Sequence, residues 1–314
     1  MTTKVQLVEI NASFDGQRID NYLMTRLKGV PKSHIYRLLR TGQVRINKGR
    51  IKPAYRLKSG DIIRIPPVNV AADTKPARPG DKLRERIRDS LIYEDDHLIV
   101  INKPSGIAVH SGSGIEYGAI EILRSLYGDQ QQIDLVHRLD RETSGCLLIT
   151  RNRKILPELH NLIRQGDMEK RYLTLLKGKW QGGTREINFA MNKQRLVSGE
   201  AMVQIHEDGK PALSIFSPED IFSYASLMDV TLVTGRTHQI RVHATHTGHP
   251  VAGDEKYGNR DFNRHMRSIG LKRLFLHAHQ LEFNLPASGK EISITAPLDD
   301  ELNGVVNKLE KNEI

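Results

Sequence analysis

One short stretch of this 314-residue chain reads His137-Arg138-Leu139-Asp140-Arg141-Glu142-Thr143-Ser144-Gly145, and the apolar run Cys146-Leu147-Leu148-Ile149 follows it directly. The apolar run predicts a buried strand, and the charged stretch predicts a loop that leads into it. Because Arg138 and Arg141 flank Asp140, their positive charge favours an ionised carboxylate there. An ionised carboxylate suits a nucleophile or an electrostatic stabiliser better than a general acid. Taken alone, however, the charge pattern favours an ordinary surface turn with ion pairs.

The larger, C-terminal part of the chain mixes predicted strands with helices. One amphipathic run, with apolar residues at helical spacing, predicts a helix over 154–165. Apolar and alternating runs predict strands at 98–101, 146–149, 172–176, 227–233, 275–276 and 292–294. This mixture indicates an α+β domain built on a mainly antiparallel mixed sheet.

The positive charge of the protein is concentrated in its first 70 residues. The full chain has 47 Lys and Arg against 37 Asp and Glu, a net charge of +10. Residues 1–70 contain 14 basic and 4 acidic residues and account for the whole excess, whereas residues 71–314 are neutral. The segment 71–82, with Pro, Gly and Ala, has the composition of a linker. The charge boundary and the linker coincide, which predicts a basic domain at 1–70 and a larger domain at 83–314.

The basic N-terminal domain has the pattern of a small RNA-binding unit. Apolar residues at helical spacing predict helices over 18–28 and 31–40, and strands are expected at 44–47 and 61–65. Basic side chains off the apolar stripe can dock on RNA phosphates by shape and charge. The residues that we expect to do so are Lys32, Arg37, Arg40 and Arg45. The plainer alternative is a charge excess that serves solubility.

Composition argues against several other classes of protein. The single cysteine, Cys146, rules out an intramolecular disulfide and argues against a thiolate zinc site. No apolar run approaches the roughly 20 residues that a membrane span needs, and the chain starts without the apolar block of a signal peptide. His238, His243, His246 and His249 follow no zinc-binding spacing. We therefore expect a cytoplasmic protein with no membrane contact and no bound metal.

Three further stretches carry polar chemistry. Residues 234–243 hold two arginines, two histidines and a glutamine, and arginine suits phosphate and carboxylate partners. Lys170-Arg171-Tyr172 places an aromatic ring beside cations, which suits a nucleobase, although a structural tyrosine is the default for any single aromatic residue. The segment Asn102-Lys103-Pro104-Ser105-Gly106 is a shaped turn because of its Pro and Gly, and by itself it implies no more than a turn.

Taken together, these stretches resemble the RluA family of pseudouridine synthases, and within it the type that acts on the 23S RNA of the large ribosomal subunit. The family's sequence blocks appear in the family's order at 102–106, 137–145, 170–172, 234–241 and 274–278. Residues 253–262 favour the large-subunit type. The resemblance covers nearly the whole chain, and it implies a small N-terminal S4-like α/β RNA-binding domain followed by a larger pseudouridine-synthase domain.

The resemblance also assigns roles to individual residues. It implies that Asp140 is the catalytic aspartate, that Arg241 pairs with it, and that Tyr172 lies against the target base. Leu276 is expected in the apolar wall of the pocket. The other positions expected to contact the substrate are His137, Arg138, Leu139, Arg141, Lys170, Arg236, His238 and Gln239.

The implied reaction converts a uridine within an RNA chain to pseudouridine. The N1–C1′ bond breaks, the uracil turns and C5 bonds to C1′, so no cofactor is expected. The uridine must first leave the base stack at a cost of a few kcal/mol, of which stacking on Tyr172 offsets ~1–3 kcal/mol. Asp140 either attacks C1′ or removes the C2′ proton, and Tyr172 is one candidate for the base that takes the proton from C5.

Two other functions are compatible with parts of the sequence. A glycosidase usually needs two carboxylates that flank the bond it cleaves, and Glu142 is close to Asp140, but Arg141 suggests a salt-bridged loop instead. A non-catalytic RNA-binding or ribosome-assembly protein would use the basic domain equally well, yet it leaves the large neutral domain unexplained. The expected partner is large-subunit ribosomal RNA, either naked or in an assembly intermediate, and the default oligomeric state is a monomer.

Overall fold

The structure, a computed structural model, divides into two compact units, Met1–Arg78 and Pro79–Ile314. It describes residues 5–27, 29–68, 79–112, 115–128, 133–195, 201–285 and 288–311. Within these ranges, no helix combines the length and the apolar character that crossing a bilayer requires.

The first unit packs two helices against a small antiparallel sheet. Its elements are β1 (Gln6–Glu9), α1 (Ile19–Arg26), α2 (Lys32–Arg40), β2 (Arg45–Ile46), β3 (Gly49–Arg50) and β4 (Ile62–Ile65). The strands lie in the order β1-β4-β2-β3, and their pairings are antiparallel. Leu23, Leu39 and Ile63 are among the side chains that fill the core between helices and sheet. Both predicted helices are confirmed, because their apolar positions recur every three to four residues and face one core.

The predicted linker at 71–82 ends earlier than its composition suggested. Residues 71–78 lie outside the described residues. Asp81 and Lys82 instead form the start of a helix, α3 (Asp81–Arg88), so the boundary predicted at 83 falls inside this helix. Asp81 carries a negative charge in the first turn, which the helix dipole favours, and Ile87 anchors the helix in the core.

After α3, the second unit continues with strands and helices in irregular alternation. They are β5 (Leu91–Glu94), β6 (Leu98–Lys103), α4 (Ala119–Tyr127), β7 (Asp134–Leu135), β8 (Ser144–Thr150), α5 (Leu156–Gln165), β9 (Glu169–Lys177), β10 (Arg185–Asn188), β11 (Met191–Arg195), β12 (Ala201–Ile205), β13 (Leu213–Ile221), β14 (Ala225–Leu232), α6 (Gln239–His246), α7 (Arg260–Ser268), β15 (Leu276–Asn284), β16 (Glu291–Thr295) and α8 (Asp300–Glu310).

One large sheet of ten strands organises the second unit. Its main path runs β10-β13-β14-β9-β15-β8-β6-β5, with β16 paired to β15 and β7 paired to β8. The pairings are antiparallel except for the one between β8 and β15, which is parallel. Strands β11 and β12 form a separate antiparallel hairpin. The α+β class with a mainly antiparallel mixed sheet is thereby confirmed.

Both faces of the sheet centre are covered, which explains the continuous apolar runs in the sequence. Along β6, Ile99 and Ile101 enter a core that α4 and α6 also fill. The intervening residues, Leu98 and Val100, enter a second core on the α5 side, together with Cys146 of β8. A strand that buries both faces shows no polar alternation. Cys146 is therefore a core residue, as its apolar surroundings predicted.

Candidate active site

The charged stretch forms a loop between β7 and β8, residues 136–143, here called the Asp140 loop. Leu139 is only 4% exposed and anchors this loop in the core. The next side chain, Asp140, keeps a quarter of its surface exposed. The amide of Thr143 donates to the carbonyl of Asp140 at 3.2 Å and closes a tight turn. The backbone that carries Asp140 is therefore held in place, and its carboxylate is open to a ligand.

A turn around Lys103 holds the Asp140 loop from one side. The amide of Gly106 donates to the carbonyl of Arg141 at 2.9 Å, and Nε of Arg141 donates back to the carbonyl of Gly106 at 3.0 Å. The buried ammonium of Lys103 donates to the carbonyls of Pro104, Ile107 and Arg141 at 2.9, 2.8 and 3.2 Å. Burial lowers the pKa of Lys103 to about 7, while three acceptors match the three protons of its ammonium. This turn therefore supports the loop.

The strand that follows the loop lies unusually close to β15. Gly145 has a φ of 107°, and a Cβ there would lie 2.2 Å from the carbonyl oxygen of Ala278, so only glycine fits. Next to it, Ser144 Oγ lies 2.8 Å from His277 Nδ1, and His277 Nε2 lies 3.0 Å from the carbonyl of Ala296. Since Nε2 must donate to that carbonyl, Ser144 donates to Nδ1. Both side chains are buried, so this pair joins strands and does not form an exposed nucleophile.

Asp140 lies between two cavities. The smaller, of about 110 Å³, has an apolar wall that includes Tyr172 and Leu276. The larger, of about 330 Å³, is lined on its polar side by His110 and Arg241. A ligand with an aromatic face and a polar edge would therefore meet both kinds of surface beside one carboxylate.

Tyr172, on β9, forms one wall of the smaller cavity. Its neighbours in the sheet are Val230 and Ala278, and the side chain is almost fully buried. Burial, followed by the charge of Asp140, raises the pKa of Tyr172 far above its usual value of 10. The phenol therefore stays protonated in neutral solution. It can stack or donate a hydrogen bond, but its high pKa disfavours the general-base role.

Arg241 lies at the site but does not pair directly with Asp140. Its Nε and Nη2 donate to Oδ2 and Oδ1 of Asp254 at 2.7 and 2.8 Å. Among the described residues, the basic side chain within 4 Å of the Asp140 carboxylate is His238, whose Nε2 lies 3.7 Å from Oδ2. The predicted Arg241–Asp140 pair is not among the ion pairs of the described residues, in which Asp254 takes Nε and Nη2 of the guanidinium. Burial lowers the pKa of Arg241, but Asp254 and then Asp140 outweigh burial and leave it raised.

His238 joins the site from the residue that precedes α6. Its backbone has a φ of 56° and a ψ of 20°, the left-handed conformation. Its Nδ1 lies 2.8 Å from the hydroxyl of Tyr257. Burial lowers the pKa of His238, and the charge of Asp140 offsets only part of this effect.

Three predicted substrate contacts make hydrogen bonds within the protein. All four hydrogen-bonding positions of the Gln239 amide are occupied by neighbouring groups, which leaves none for a substrate. Nε2 of His137 accepts from the amide of Leu148 at 3.0 Å, and burial together with nearby Lys170 lowers the pKa of His137 to about 4. Lys170 is buried and donates to the carbonyl of Met168 at 2.9 Å. These residues support the site through hydrogen bonds within the protein.

Exposed arginines form the rim of the site. Arg138 lines both cavities beside Asp140, and Arg236 lines the smaller one. Arg141 is 62% exposed and lies 3.5 Å from Glu142, which confirms the salt-bridged loop predicted there. A positive rim around a carboxylate suits a polyanionic substrate such as RNA.

Sequence reasoning missed two residues that organise the site, Asp254 and Tyr257. Both lie in the stretch 253–262, whose only signal was a likeness to one type within a family. A Gly-Asp step followed by an aromatic residue marks a structured turn, but it does not identify Arg241 and His238 as the partners.

The basic side chains predicted to bind RNA lie on the surface of the first unit. Lys32, Arg37 and Arg40 are exposed on α2, and Arg45 is exposed on β2. Arg37 and Arg40 also lie in the last turn of α2, where a positive charge interacts favourably with the helix dipole. The apolar side of α2 is buried, so its basic side is free to meet a polyanion.

Comparisons with known proteins agree with this geometry. A family model described as RNA pseudouridylate synthase matches residues 97–246, and a model of the S4 domain matches residues 17–63. A "ribosomal large subunit pseudouridine synthase C" of Yersinia pestis is 48% identical over 310 residues, which cover 98% of this chain and 97% of that protein. The protein of the same name from Escherichia coli (strain K12) is 48% identical over 311 residues and 98% of both chains.

Two solved structures share the fold. Human RNA Pseudouridylate Synthase Domain Containing 4 superposes with a TM-score of 0.61 at 20% identity, over 73% of this chain and 96% of that one. Human RNA Pseudouridylate Synthase Domain Containing 1 gives a TM-score of 0.56 at 24% identity, over 70% and 94%. The family models, the full-length relatives and the shared fold together confirm the resemblance seen in the sequence. The chain belongs to the RNA pseudouridylate synthase family, a family of isomerases, and carries an S4 domain.

Proposed function

We propose that this protein isomerises specific uridines to pseudouridine in the 23S RNA of the large ribosomal subunit, acting as a cytoplasmic monomer. The observation that carries the proposal is Asp140, a partly exposed carboxylate at the junction of two cavities, beside Tyr172 and Leu276. The names of relatives that match 98% of the chain support large-subunit RNA as the substrate.

The chemistry follows from what each side chain offers. A uridine extruded from its stack would bury its ring against Tyr172 and Leu276, and stacking of this kind offsets ~1–3 kcal/mol of the extrusion cost. Asp140 then faces the ribose, where it either attacks C1′ or removes the C2′ proton. In the first route Asp140 bonds to C1′ as the N1–C1′ bond breaks, and this new C–O bond breaks when C5 bonds to C1′. In the second route the N1–C1′ bond breaks as C2′ loses its proton, and Asp140 returns that proton to C2′ as C5 bonds to C1′. In both routes C5 then loses a proton and N1 gains one. Tyr172 is protonated and therefore orients the base rather than taking the C5 proton.

Positively charged side chains surround the carboxylate of Asp140. Arg138 and Arg141 lie at neighbouring positions of the loop, and Arg241 faces the same cavity. Because Arg241 is paired with Asp254, it acts on Asp140 through its charge at a distance and not through a direct bond. A fixed charge in a partly buried site needs no reorganisation during the reaction.

The first unit supplies affinity for RNA. Its exposed basic residues on α2 and β2 carry positive charge that releases counterions from phosphates. Such contacts position the RNA without reading its sequence. We infer that the S4 unit holds the RNA while the second unit selects and extrudes the uridine.

The test is to incubate the purified protein with large-subunit RNA from cells that lack it, and to map pseudouridines by carbodiimide-dependent primer-extension stops. We expect new stops at a small number of uridines with the wild-type protein. Release of free uracil would point to a glycosidase, and tight binding without any pseudouridine would point to a ribosome-assembly protein. Either result would contradict the proposal.

A further inference from the structure

His238 has a left-handed backbone, which is uncommon for a residue other than glycine. Its φ of 56° lies in the left-handed region, which among the described non-glycine residues is shared only with Asn47 and Lys48. A non-glycine residue seldom adopts this region, although asparagine, aspartate and histidine do so more often than other residues. Strain of this kind is kept where the side chain must reach a particular place, and the ring of His238 reaches Asp140.

A chain of hydrogen bonds behind His238 has a definite direction. The amide of Val203, on β12, donates to the hydroxyl oxygen of Tyr257 at 3.1 Å. That oxygen lies 2.8 Å from His238 Nδ1. Burial raises the pKa of Tyr257, so its hydroxyl keeps its proton. Since the oxygen already accepts from Val203, the hydroxyl proton is best used in a bond to Nδ1.

This direction fixes the tautomer of the histidine ring. If Nδ1 accepts from Tyr257, the ring proton of a neutral His238 is on Nε2. Nε2 lies 3.7 Å from Oδ2 of Asp140. The opposite tautomer would turn a lone pair toward the carboxylate and leave the hydroxyl of Tyr257 without this acceptor. Both ends of the ring therefore favour a proton on Nε2, and burial keeps the ring neutral by lowering its pKa.

We propose that His238 is a positioning residue: Tyr257 holds it in the Nε2–H tautomer, and Nε2–H steers one carboxylate oxygen of Asp140 so that the other faces the ribose. The distance of 3.7 Å belongs to the protein without RNA, and catalytic hydrogen bonds often tighten only in the complex with substrate. An aspartate with one oxygen held keeps its attacking oxygen aligned, and a misalignment of about 1 Å can cost about 10²-fold in rate.

Two amide variants separate this role from a purely structural one. The amide nitrogen of glutamine can approach the position of Nε2, whereas asparagine reaches only the position of Nδ1. We therefore expect H238Q to keep a single-turnover rate within about tenfold of the wild type and H238N to lose about 10²-fold, with RNA affinity unchanged in both. A role in backbone conformation alone predicts the reverse order, because asparagine accepts the left-handed region more readily than glutamine.

H265Q, at a histidine on α7 outside the site, is the matched control and should keep the wild-type rate. Thermal unfolding shows whether each variant folds. This rate test rests on the proposed function. If the wild type makes no pseudouridine, the proposed function fails. If the wild type is active and H238N equals or exceeds H238Q, only the positioning role of His238 fails.

A second measurement does not depend on activity. The nitrogen chemical shifts of ¹⁵N-labelled histidine report which ring atom carries the proton. In the free wild-type protein at neutral pH, we expect the His238 signals of a protonated Nε2 and an unprotonated Nδ1, and in Y257F we expect the two tautomers to mix. A protonated Nδ1 in the wild type, or no change in Y257F, would overturn the proposal.

Discussion

The guanidinium of Arg241 and the carboxylate of Asp254 form a two-pronged ion pair in the interior of the second unit. The two bonds measure 2.7 and 2.8 Å, and the side chains are 9% and 0% exposed. Asp254 also accepts from the amides of Lys256 and Tyr257 at 2.9 and 3.0 Å. The pair therefore ties α6 to the turn that carries Tyr257, and it maintains the surroundings of His238.

Replacing Asp254 should cost much of the stability of the second unit. In D254N an amide NH₂ group faces the donors that the carboxylate satisfied, and Arg241 becomes a buried charge without its partner. Breaking a buried pair in this way costs about 3–5 kcal/mol. Urea unfolding of the variant and the wild type measures the difference. E255Q is the matched control, because Glu255 pairs with Arg267 at an exposed position, where the destabilisation should stay below about 1 kcal/mol. Equal destabilisation in the two variants would contradict this account.

The same pair makes stability depend on acid. Burial raises the pKa of Asp254, but the bond and charge of Arg241 and two backbone amides outweigh burial and leave the pKa below its usual 3.8. Because the native state then binds fewer protons than the unfolded state, this contribution is complete above the unfolded pKa. It is lost as the pH falls through the lower, folded pKa.

Urea unfolding at several pH values between 7 and 3 should therefore show wild-type stability falling at the acid end of the range. D254N should show a shallower fall, because one titrating group has been removed. Asp229, whose pKa is also lowered, will keep part of the slope in the variant. A wild-type stability that rises on acidification would contradict the assignment.

Removing the charge of Asp140 should abolish isomerisation without weakening RNA binding. D140N keeps the shape of the side chain but neither attacks C1′ nor accepts the C2′ proton. We expect the single-turnover rate to fall by about 10⁴-fold or more, as for other essential catalytic groups, with RNA affinity within about threefold.

E142Q is the control, since Glu142 is a half-exposed neighbour in an ion pair with Arg141. It should keep a rate within about threefold of the wild type, as expected for a surface ion pair. Full activity in D140N would remove Asp140 from the mechanism. An equal fall in E142Q would revive the two-carboxylate alternative.

Sequence patterns predicted the fold best where burial is strongest. The β6 and β8 runs were predicted as strands because apolar residues that enter cores on both faces leave a continuous signal. β1 was not predicted. One of its apolar residues, Leu7, is 70% exposed, so the apolar residues of the strand do not mark a single buried face. α6 was missed as well, because its buried face includes the polar side chains Gln239, Arg241 and His243.

Some residues of the candidate site were predictable from the sequence, but their pairings were not. Asp140 and Tyr172 lie in stretches that the sequence analysis singled out, and both line one cavity. The partner of Arg241 could not be read from the sequence, because Asp140 and Asp254 are both carboxylates that an arginine suits. The fold decides between them. Asp254 is fully buried and meets both arms of the guanidinium, whereas Asp140 is partly open to a ligand.

The last prediction concerns the basic side of α2. Neutralising its exposed cations in the triple variant K32Q/R37Q/R40Q should weaken RNA binding and flatten its salt dependence. Each phosphate that is no longer neutralised by the protein should reduce the slope of log K against log salt by about 0.7–0.9. The binding constant measured at several salt concentrations gives this slope.

The control removes the same charge elsewhere on the first unit, in K48Q/K52Q/K58Q, whose side chains are also exposed. If α2 binds the phosphates, the slope should change less in the control, because long-range attraction alone is screened within about 10 Å at 0.1 M salt. Equal slopes in the two triple variants would mean that the first unit attracts RNA only through its overall charge. In that case the helix would not be the docking surface, since a local contact depends on where the charge lies and a diffuse field does not.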